Sequence, residues 1–258
     1  MTKLAIAGAA GKMGRRLLAL AAQDDDLSVT AALETAGHPS IGRTIEGAAV
    51  ADRVSADFDV LIDFSLPEGT IHWLNAALDQ KKPIVIGTTG HTEAQLKTIR
   101  DAAKTIPVLK AMNMSLGVNL LFRLAGQVAN ALGDDYDIEI VEAHHRFKID
   151  APSGTAVGLL QSITDATGRN IKTDVVYGRQ GQTGKRPSKQ IAVHALRIGD
   201  TVGEHAVHFG TLGETVVLKH VAHTRDTFVK GALRAARWLP GKPAGLYDMQ
   251  DVLFGPKD

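Results

Sequence analysis

Reactive side chains are concentrated in one short segment of the chain, Glu142 to Ala156. Two imidazoles, one ammonium and two hydroxyls occur within it, on His144, His145, Lys148, Ser153 and Thr155. The hydroxyls and Gly154 stand where a helix is expected to start, and the first N–H groups of a helix lack partners within the helix. Such a helix start binds anions, and an imidazole beside it can donate a proton near neutral pH. The segment therefore predicts a site that holds an anionic substrate and protonates it.

Two predicted elements flank this segment and make it a strand-to-helix turn. Tyr136 to Val141 alternates as a half-buried strand does, and Ala156 to Ala166 has the spacing of a helix. Pro152 restricts the backbone where the chain enters that helix. A plain surface turn, with solvated charges and a capping hydroxyl, is the alternative interpretation. The density of basic and helix-start residues in one place favours the functional interpretation.

A glycine-rich turn near the N-terminus predicts a second binding site. The turn follows a short apolar strand, 3–7, precedes a helical pattern, 15–22, and contains Gly8, Gly11, Lys12, Met13 and Gly14. Its glycines fall at i, i+3 and i+6, whereas those of the commonest dinucleotide motif fall at i, i+2 and i+5. The longer spacing still lets the backbone and a helix start approach a pyrophosphate closely. The next strand, 27–33, ends at Glu34, whose carboxylate can accept hydrogen bonds from a ribose diol. Together these features predict a dinucleotide-binding site.

Further strands and helices alternate after this turn. Apolar strands at 58–65, 83–86 and 106–111 are separated by predicted helices at 67–78 and 93–103. Strands that are apolar on both faces and alternate with helices predict a Rossmann-like, doubly wound parallel sheet of the α/β class, which binds ligands at the carboxyl ends of its strands. The expected cofactor contacts at those ends are Phe64, Gly87, Thr88, Thr89, Gly90, Asn113, Met114 and Ser115. For the two threonines, a plain turn is an equal alternative.

The pattern then changes to that of a smaller α+β domain. The segment 117–132 predicts one long helix, and the strands expected after the histidine segment are 174–177, 190–197 and 204–222. The last of these contains a hairpin at 211–213, so the sheet is expected to be mixed or antiparallel.

Two further segments complete the expected organisation. The basic, glycine-rich segment 179–189 predicts a mobile loop, with subunit contact or substrate approach as the alternative. The segment 225–239 predicts a helix that returns to the first domain. We therefore expect a dinucleotide-binding domain of residues 1–114 and 225–258, and a substrate-binding and oligomerisation domain of residues 115–224.

Composition limits the compartment and the partners. The 258 residues carry a formal net charge of +1, so no global field attracts nucleic acid or membrane. The chain has no cysteine, which removes disulfides, thiolate nucleophiles and Cys-ligated zinc. The N-terminus has no signal-peptide pattern, and no apolar run reaches ~18 residues. We expect a cytoplasmic protein that binds neither nucleic acid nor membrane.

Other function classes fit the sequence less well. A short-chain dehydrogenase needs Lys four residues after its Tyr, but Tyr136, Tyr177 and Tyr247 are followed there by other residues. Four later histidines, His205, His208, His220 and His223, lack the spacing of a closed metal site, so we expect no metal and interpret them as strand-surface residues. A non-enzymatic module that senses dinucleotides is the alternative of a different class.

Several motifs resemble one family of reductases. They are Gly8-x-x-Gly11-x-Met13-Gly14, Gly87-Thr88-Thr89-Gly90, Asn113-Met114-Ser115-x-Gly117-Val118-Asn119 and Glu142-x-His144-His145-Arg146-x-Lys148-x-Asp150-Ala151-Pro152-Ser153-Gly154-Thr155-Ala156. The chain closely resembles the 4-hydroxy-tetrahydrodipicolinate reductases (dihydrodipicolinate reductases) of the diaminopimelate route to lysine. The resemblance extends over nearly the whole chain.

The resemblance implies an activity and a role for each residue of the histidine segment. It implies a homotetramer that uses NADH or NADPH to reduce a small anionic cyclic dicarboxylate with loss of water. By the same resemblance, His144 is the proton donor and Lys148 assists it. His145, Ser153, Gly154 and Thr155 are then the residues that bind the substrate.

One departure from the family concerns the choice of cofactor. Members that favour NADPH often carry Arg after the acidic residue, whereas Thr35 follows Glu34 here. The 2′-phosphate would then lack a planar cationic partner, although Lys12 can compensate in part. We expect NADH to be used at least as well as NADPH.

Overall fold

A computed structural model describes residues 1–256. The chain divides into two compact units, one formed by Met1–Leu116 together with the chain from Asp226 onward, the other by Gly117–Arg225. The strands are β1 (Thr2–Ala7), β2 (Leu27–Leu33), β3 (Thr44–Ile45), β4 (Ala48–Ala51), β5 (Val60–Asp63), β6 (Ile84–Ile86), β7 (Pro107–Lys110), β8 (Asp137–His144), β9 (Val175–Tyr177), β10 (Ile191–Arg197), β11 (Gly203–Thr211), β12 (Glu214–Ala222) and β13 (Gly245–Tyr247). The helices are α1 (Lys12–Ala21), α2 (Pro67–Asp79), α3 (Glu93–Ala102), α4 (Leu116–Leu132), α5 (Gly154–Thr167), α6 (Asp226–Trp238) and α7 (Met249–Phe254). The division into a dinucleotide-binding domain and a substrate-binding and oligomerisation domain, at 114/115 and 224/225, stays a prediction.

The first unit is built on an eight-stranded sheet in the order β13-β7-β6-β5-β1-β2-β4-β3. Its pairs are parallel, except that β3 pairs with β4 antiparallel. Alternate residues of β1 belong to different cores. Leu4 and Ile6 pack in a core with residues of α1 and α6, and Ala5 and Ala7 pack in a core with residues of α2 and α3. Because successive side chains of a strand point to opposite faces, helices cover both faces of this sheet. The expected doubly wound parallel sheet is confirmed.

Close packing of α6 fixes the segment that follows β7. A Cβ added at Gly231 of α6 would collide with the carbonyl oxygen of Met114. Glycine is the residue that allows a helix to approach another backbone so closely. Ser115 is tied to the same helix by a hydrogen bond of 3.1 Å between its hydroxyl and that of Thr227. The predicted cofactor contacts at 113–115 therefore rest against α6.

The second unit carries a five-stranded sheet in the order β12-β11-β8-β10-β9. β8 pairs parallel with β10 and antiparallel with β11, so the expected mixed sheet is confirmed. Alternate residues of β8, Ile138 and Ile140, pack with residues of α4 and α5 in one buried core. The alternation seen in the sequence therefore positions one face of this sheet beneath the two helices.

Several elements differ from the sequence-based expectation. β8 continues to His144, whereas its alternating pattern predicted an end at Val141, because pairing with β10 and β11 holds the last three residues in extended form. Five short elements were not predicted: β3, β4, β13, α7 and a 3-10 helix, Gly133–Asp135. Elements of two to six residues are too short to show a period in the sequence. No helix of residues 1–256 is long and apolar enough to span a membrane.

Candidate active site

The glycine turn is built as a dinucleotide cradle requires. Gly8 has a φ of +75°, and its carbonyl accepts a hydrogen bond of 3.0 Å from the N–H of Gly11. A Cβ added at Gly14 would collide with the backbone of Gly8, so only glycine lets α1 pack directly on the turn. Gly11 is the N-cap residue of α1 and has no side chain to block the helix start. This end of α1 fits a pyrophosphate.

A cavity of about 580 Å³ lies beside this turn. It is lined by Gly8, Ala10, Gly11, Arg15, Glu34, Thr35, His38, Ser40, Phe64, Ser65, Leu66, Glu68 and Gly69. Oε1 of Glu34 accepts a hydrogen bond of 2.8 Å from the N–H of Ala10, which leaves its second oxygen for a ligand hydroxyl. Arg15 is a lining residue that the sequence analysis did not identify, and Lys12 is not among the lining residues. These residues fit an adenosine ribose.

A second cavity of about 300 Å³ holds other predicted cofactor contacts. It is lined by Met13, Phe64, Gly87, Met112, Asn113, Met114 and Phe228. The ring of Phe64 lies where a Cβ of residue 87 would be, so Gly87 makes room for it. The apolar lining with one amide suits a flat ring such as nicotinamide.

Thr88 and Thr89 differ in their environments. Thr88 is buried, and its hydroxyl donates a hydrogen bond of 2.8 Å to Oδ2 of Asp63. Asp63 also accepts hydrogen bonds from Ser65 and Thr70, so it joins the ends of β5 and β6. Thr89 and the neighbouring Gly90 are exposed. Thr88 thus links β5 to the end of β6, and cofactor contact by either threonine stays a prediction.

The histidine segment brings β8 to the start of α5. Ser153 is the N-cap residue of α5, and its hydroxyl accepts a hydrogen bond of 3.1 Å from the N–H of Ala156. Gly154 and Thr155 are the first residues of the helix. The N–H of Ser153 donates to Oε1 of Glu142 at 3.0 Å. The helix start at 154–155 is therefore the part of the segment that can bind a further anion.

His144 is held by a buried carboxylate. Its Nδ1 lies 2.6 Å from Oε2 of Glu142, which is fully buried and also paired with Arg197. Burial alone would raise the pKa of Glu142, but hydrogen bonds from Arg197 and His144 outweigh it and hold the pKa below its usual range. Burial lowers the pKa of the His144 imidazole, and Glu142 opposes that effect. The net effect is that the pKa of His144 lies below that of an unperturbed imidazole.

Lys148 and His145 lie in the short loop after β8. Nζ of Lys148 is 2.7 Å from Oδ1 of Asp150, and the backbone N–H of Lys148 donates to the carbonyl of His145. The charge of Lys148 is close enough to lower the pKa of His144. Nδ1 of His145 is buried without a hydrogen-bond partner in the described residues. The loop therefore holds a second imidazole and an ammonium in the segment that follows His144.

The interpretation of His205 as a strand-surface residue was wrong. His205 is only 3% exposed, its Nε2 lies 3.0 Å from the hydroxyl of Ser153, and its ring contacts the ring of His144 edge-on. Burial lowers its pKa to about 3, so the ring is neutral at physiological pH. His208 and His220 are half-buried and His223 is exposed. Strand parity predicted that His205 and His208 point to opposite faces, but not which face is covered.

Comparison with known proteins agrees with this geometry. Residues 2–114 match the family model "Dihydrodipicolinate reductase, N-terminus", and residues 117–253 match "Dihydrodipicolinate reductase, C-terminus". The chain is 47% identical to a 4-hydroxy-tetrahydrodipicolinate reductase from Hahella chejuensis, over 98% of this chain and 99% of that one. It is 48% identical to one from Thiobacillus denitrificans, over 97% and 98%. The chain belongs to the dihydrodipicolinate reductase family.

Membership of this reductase family decides between the function classes. The chain is an oxidoreductase of lysine biosynthesis that depends on a pyridine nucleotide, so the non-enzymatic sensing alternative is excluded. A solved structure, described as dipicolinate-bound dihydrodipicolinate reductase from Paenisporosarcina, covers 97% of this chain and 98% of its own with a TM-score of 0.78. At 23% identity, that likeness supports the fold alone.

Sequence reasoning missed Arg15, which lines the cavity beside the glycine turn, and three residues of the second unit around the histidine segment, which are Glu142, Arg197 and His205. Glu142 stood inside the segment that was singled out, yet an acidic residue on a strand gave no sign of being buried. Arg197 lies 55 residues from Glu142 and His205 lies 52 residues from Ser153. Their only local signal is the strand alternation that points them toward the helix-covered face.

Proposed function

We propose that this chain reduces 4-hydroxy-2,3,4,5-tetrahydrodipicolinate to 2,3,4,5-tetrahydrodipicolinate with loss of water, using NADH or NADPH. The observation that carries the proposal is His144, hydrogen-bonded to a buried carboxylate and followed by a helix start at 153–155. That arrangement offers a proton donor and an anion site in one segment, as reduction of a cyclic dicarboxylate needs.

Residues of the first unit are proposed to hold the cofactor. The turn Gly8, Gly11, Lys12, Met13 and Gly14 faces the pyrophosphate, and Glu34 accepts from the ribose diol. The residues proposed around the nicotinamide are Phe64, Gly87, Thr88, Thr89, Gly90, Asn113, Met114 and Ser115. When bound, the cofactor would supply a hydride to ring C4 of the unsaturated cyclic imine that is left once the 4-hydroxyl has departed as water.

Residues of the second unit are proposed to hold the substrate and protonate it. Ser153, Gly154 and Thr155 are proposed to hold one carboxylate at the start of α5, with His145 beside them. Ser153 caps the helix, and the carboxylate accepts hydrogen bonds from the N–H groups of Gly154 and Thr155 and from the Thr155 hydroxyl. Negative charge develops on the ring carbon and nitrogen as C4 is reduced, and His144 donates the proton that neutralises it. Lys148 stabilises the same charge electrostatically. The name of the Paenisporosarcina relative, which binds dipicolinate, supports a flat dicarboxylate as the ligand.

NADH is expected to be used at least as well as NADPH. Glu34 suits a free 2′-hydroxyl and repels a phosphate, and Thr35 offers no fork of donors. Initial rates on the cyclic substrate, measured with each nucleotide, give the two values of kcat/KM. These rates also test the proposed function, because an inactive, folded enzyme would contradict it.

Arg15 is the residue whose charge opposes the expected preference for NADH. It is a cation that lines the same cavity as Glu34. A preference of about tenfold or more for NADPH would mean that this cation outweighs the carboxylate. The variant Arg15→Ala should then lose that preference while keeping its activity with NADH.

A homotetramer in the cytoplasm completes the proposal, and the second unit offers a surface for assembly. The face of its sheet opposite α4 and α5 carries the row Glu139, His208 and Val217, which the strand register places side by side. Val217 and Leu196, which pairs with Ala143 on the same face, are 46% and 51% exposed. Apolar side chains on a sheet face that its own helices leave open support contact with another copy of the chain.

Light scattering is expected to give a mass four times that of one chain. Val217→Asp places a charge on the open face and should lower that mass. Leu212→Asp is the matched control, because Leu212 is fully exposed at the tip of the β11–β12 hairpin. A wild-type protein with the mass of a single chain would contradict the tetramer.

The basic loop 179–189 has a structural connection that the sequence did not suggest. Arg179 and Arg186 both donate hydrogen bonds to the carboxylate of Glu139. Burial alone would raise the pKa of Glu139, but hydrogen bonds from Arg179, His194 and Arg186 lower it to about 2. These bonds tie the loop to the open sheet face, which supports subunit contact as its role.

A further inference from the structure

The carboxylate of Glu142 is fully buried and engaged on both oxygens. Oε2 faces Nδ1 of His144 at 2.6 Å and accepts from Arg197 at 2.9 Å, while Oε1 accepts from Arg197 at 2.9 Å and from the N–H of Ser153 at 3.0 Å. We propose that Glu142 is a positioning residue, which fixes the tautomer and orientation of His144 and sustains its ability to donate a proton. The proposal rests on the proposed function and assigns to Glu142 a role within it.

The hydrogen bonds determine which nitrogen of His144 carries a proton. An ionised carboxylate only accepts hydrogen bonds, and the bidentate pair with Arg197 keeps Glu142 ionised. Nδ1 of His144 must therefore be the donor, so the neutral ring carries its proton on Nδ1. Nε2 is then the nitrogen that gains and loses the catalytic proton. Nε2 of His144 lies against Gly203, because a Cβ added to this glycine would be 3.2 Å from that nitrogen.

The charges around His144 make Glu142 the group that favours its protonated form. Burial, Lys148 of the following loop and Arg197 of β10 all lower the pKa of His144, and Glu142 raises it. His205 of β11 contacts the ring but is neutral, because burial lowers its pKa to about 3. Of the groups farther out, His220 of β12 pairs with His205 across the strands, and Asp150 is paired with Lys148. Without Glu142, the imidazole would remain buried beside two cations, Lys148 and Arg197, and all of these effects disfavour its protonated form.

Arg197 couples this carboxylate to the loop that carries Lys148. Besides Glu142, its guanidinium donates a hydrogen bond of 2.6 Å to the backbone carbonyl of Asp150. The carboxylate, the arginine and the loop therefore form one connected set, which holds the imidazole and the ammonium in place together. Positioning groups of this kind act on kcat more than on the binding of substrate.

The variant Glu142→Gln tests the proposal through the pH dependence of kcat/KM. A general acid must be protonated, so activity is lost as the pH rises through its pKa. Loss of the carboxylate lowers the pKa of His144, so the alkaline limb of the profile should move to lower pH by about one unit. The value of kcat at pH 7 should fall about tenfold, with KM changed less than about twofold. Glu142→Asp keeps the negative charge, so its alkaline limb should lie between that of Glu142→Gln and that of the wild type.

Glu139→Gln is the matched control. Glu139 lies on the same strand but on the opposite face, and it also binds a histidine and two arginines, His194, Arg179 and Arg186. Its replacement removes the anchor of loop 179–189, but it should leave the alkaline limb where it is in the wild type, because Glu139 lies on the face of the sheet away from His144. A folded Glu142→Gln enzyme whose alkaline limb coincides with that of the wild type would overturn the proposal.

Nitrogen NMR of the wild-type enzyme gives a second test that needs no folded Glu142 variant. The imidazole signals, assigned to His144 by comparison with His144→Gln, should show the Nδ1–H tautomer above the pKa of the ring. An Nε2–H tautomer would overturn the proposal. Failure of the proposed function is a different result, because the wild type would then lack reductase activity altogether.

Discussion

Replacement of His144 by glutamine is expected to lower kcat by about two orders of magnitude or more, with little change in KM. Glutamine fills a similar volume and can still hydrogen-bond to Glu142, but it cannot donate a proton to the reduced ring. Steady-state rates on the cyclic dicarboxylate, with saturating NADH, give both constants. We expect kcat to fall and KM to change little, because the proton is needed only when negative charge develops on the ring and not when the substrate binds.

A matched control for this variant is His223→Gln in the same unit. His223 follows β12 and is exposed, so its replacement should leave kcat within about twofold of the wild type. Thermal unfolding should show that both variants are folded. An unchanged kcat in folded His144→Gln would remove His144 from the mechanism and make Lys148 the next donor to test.

Pyridine-2,6-dicarboxylate is expected to inhibit competitively against the cyclic substrate and not against the nicotinamide cofactor. It has the flat shape and both carboxylates of the substrate, but it does not readily accept a hydride. Thr155→Val removes a hydroxyl donor at the start of α5 and keeps the volume of the side chain. It should weaken inhibition and raise the substrate KM by about 1 to 3 kcal/mol, which corresponds to roughly 5- to 150-fold.

Thr167→Val provides the control within the same helix. The hydroxyl of Thr167 donates to the carbonyl of Ile163 near the far end of α5, so its loss removes a threonine hydroxyl away from the helix start. Inhibition by the dicarboxylate should be unchanged in this variant. If Thr155→Val also kept its KM and inhibitor affinity, the turn at 153–155 would be a structural cap, and the basic loop 179–189 would be the next place to look.

The sequence by itself determined the features that depend on local pattern. The glycine spacing at 8–14, the strand ending at Glu34 and the contiguous segment 142–156 are each short enough to be recognised along the chain. The alternation of apolar strands with helices was sufficient to predict the doubly wound sheet, because strands buried on both faces have few polar residues. The residues proposed to bind the substrate could be predicted together because they are neighbours in the sequence.

Only the tertiary structure decided which groups surround His144. Glu142, Arg197 and His205 come from three strands, and their burial depends on which face of the mixed sheet α4 and α5 cover. Strand parity places these side chains on one face or the other, but a polar residue carries no sign of being buried until its partners are known. The same holds for Arg15, which lines the cavity with Glu34 because α1 packs directly on the glycine turn. The environment that sets the pKa of the His144 imidazole includes long-range contacts, and local sequence patterns do not specify these.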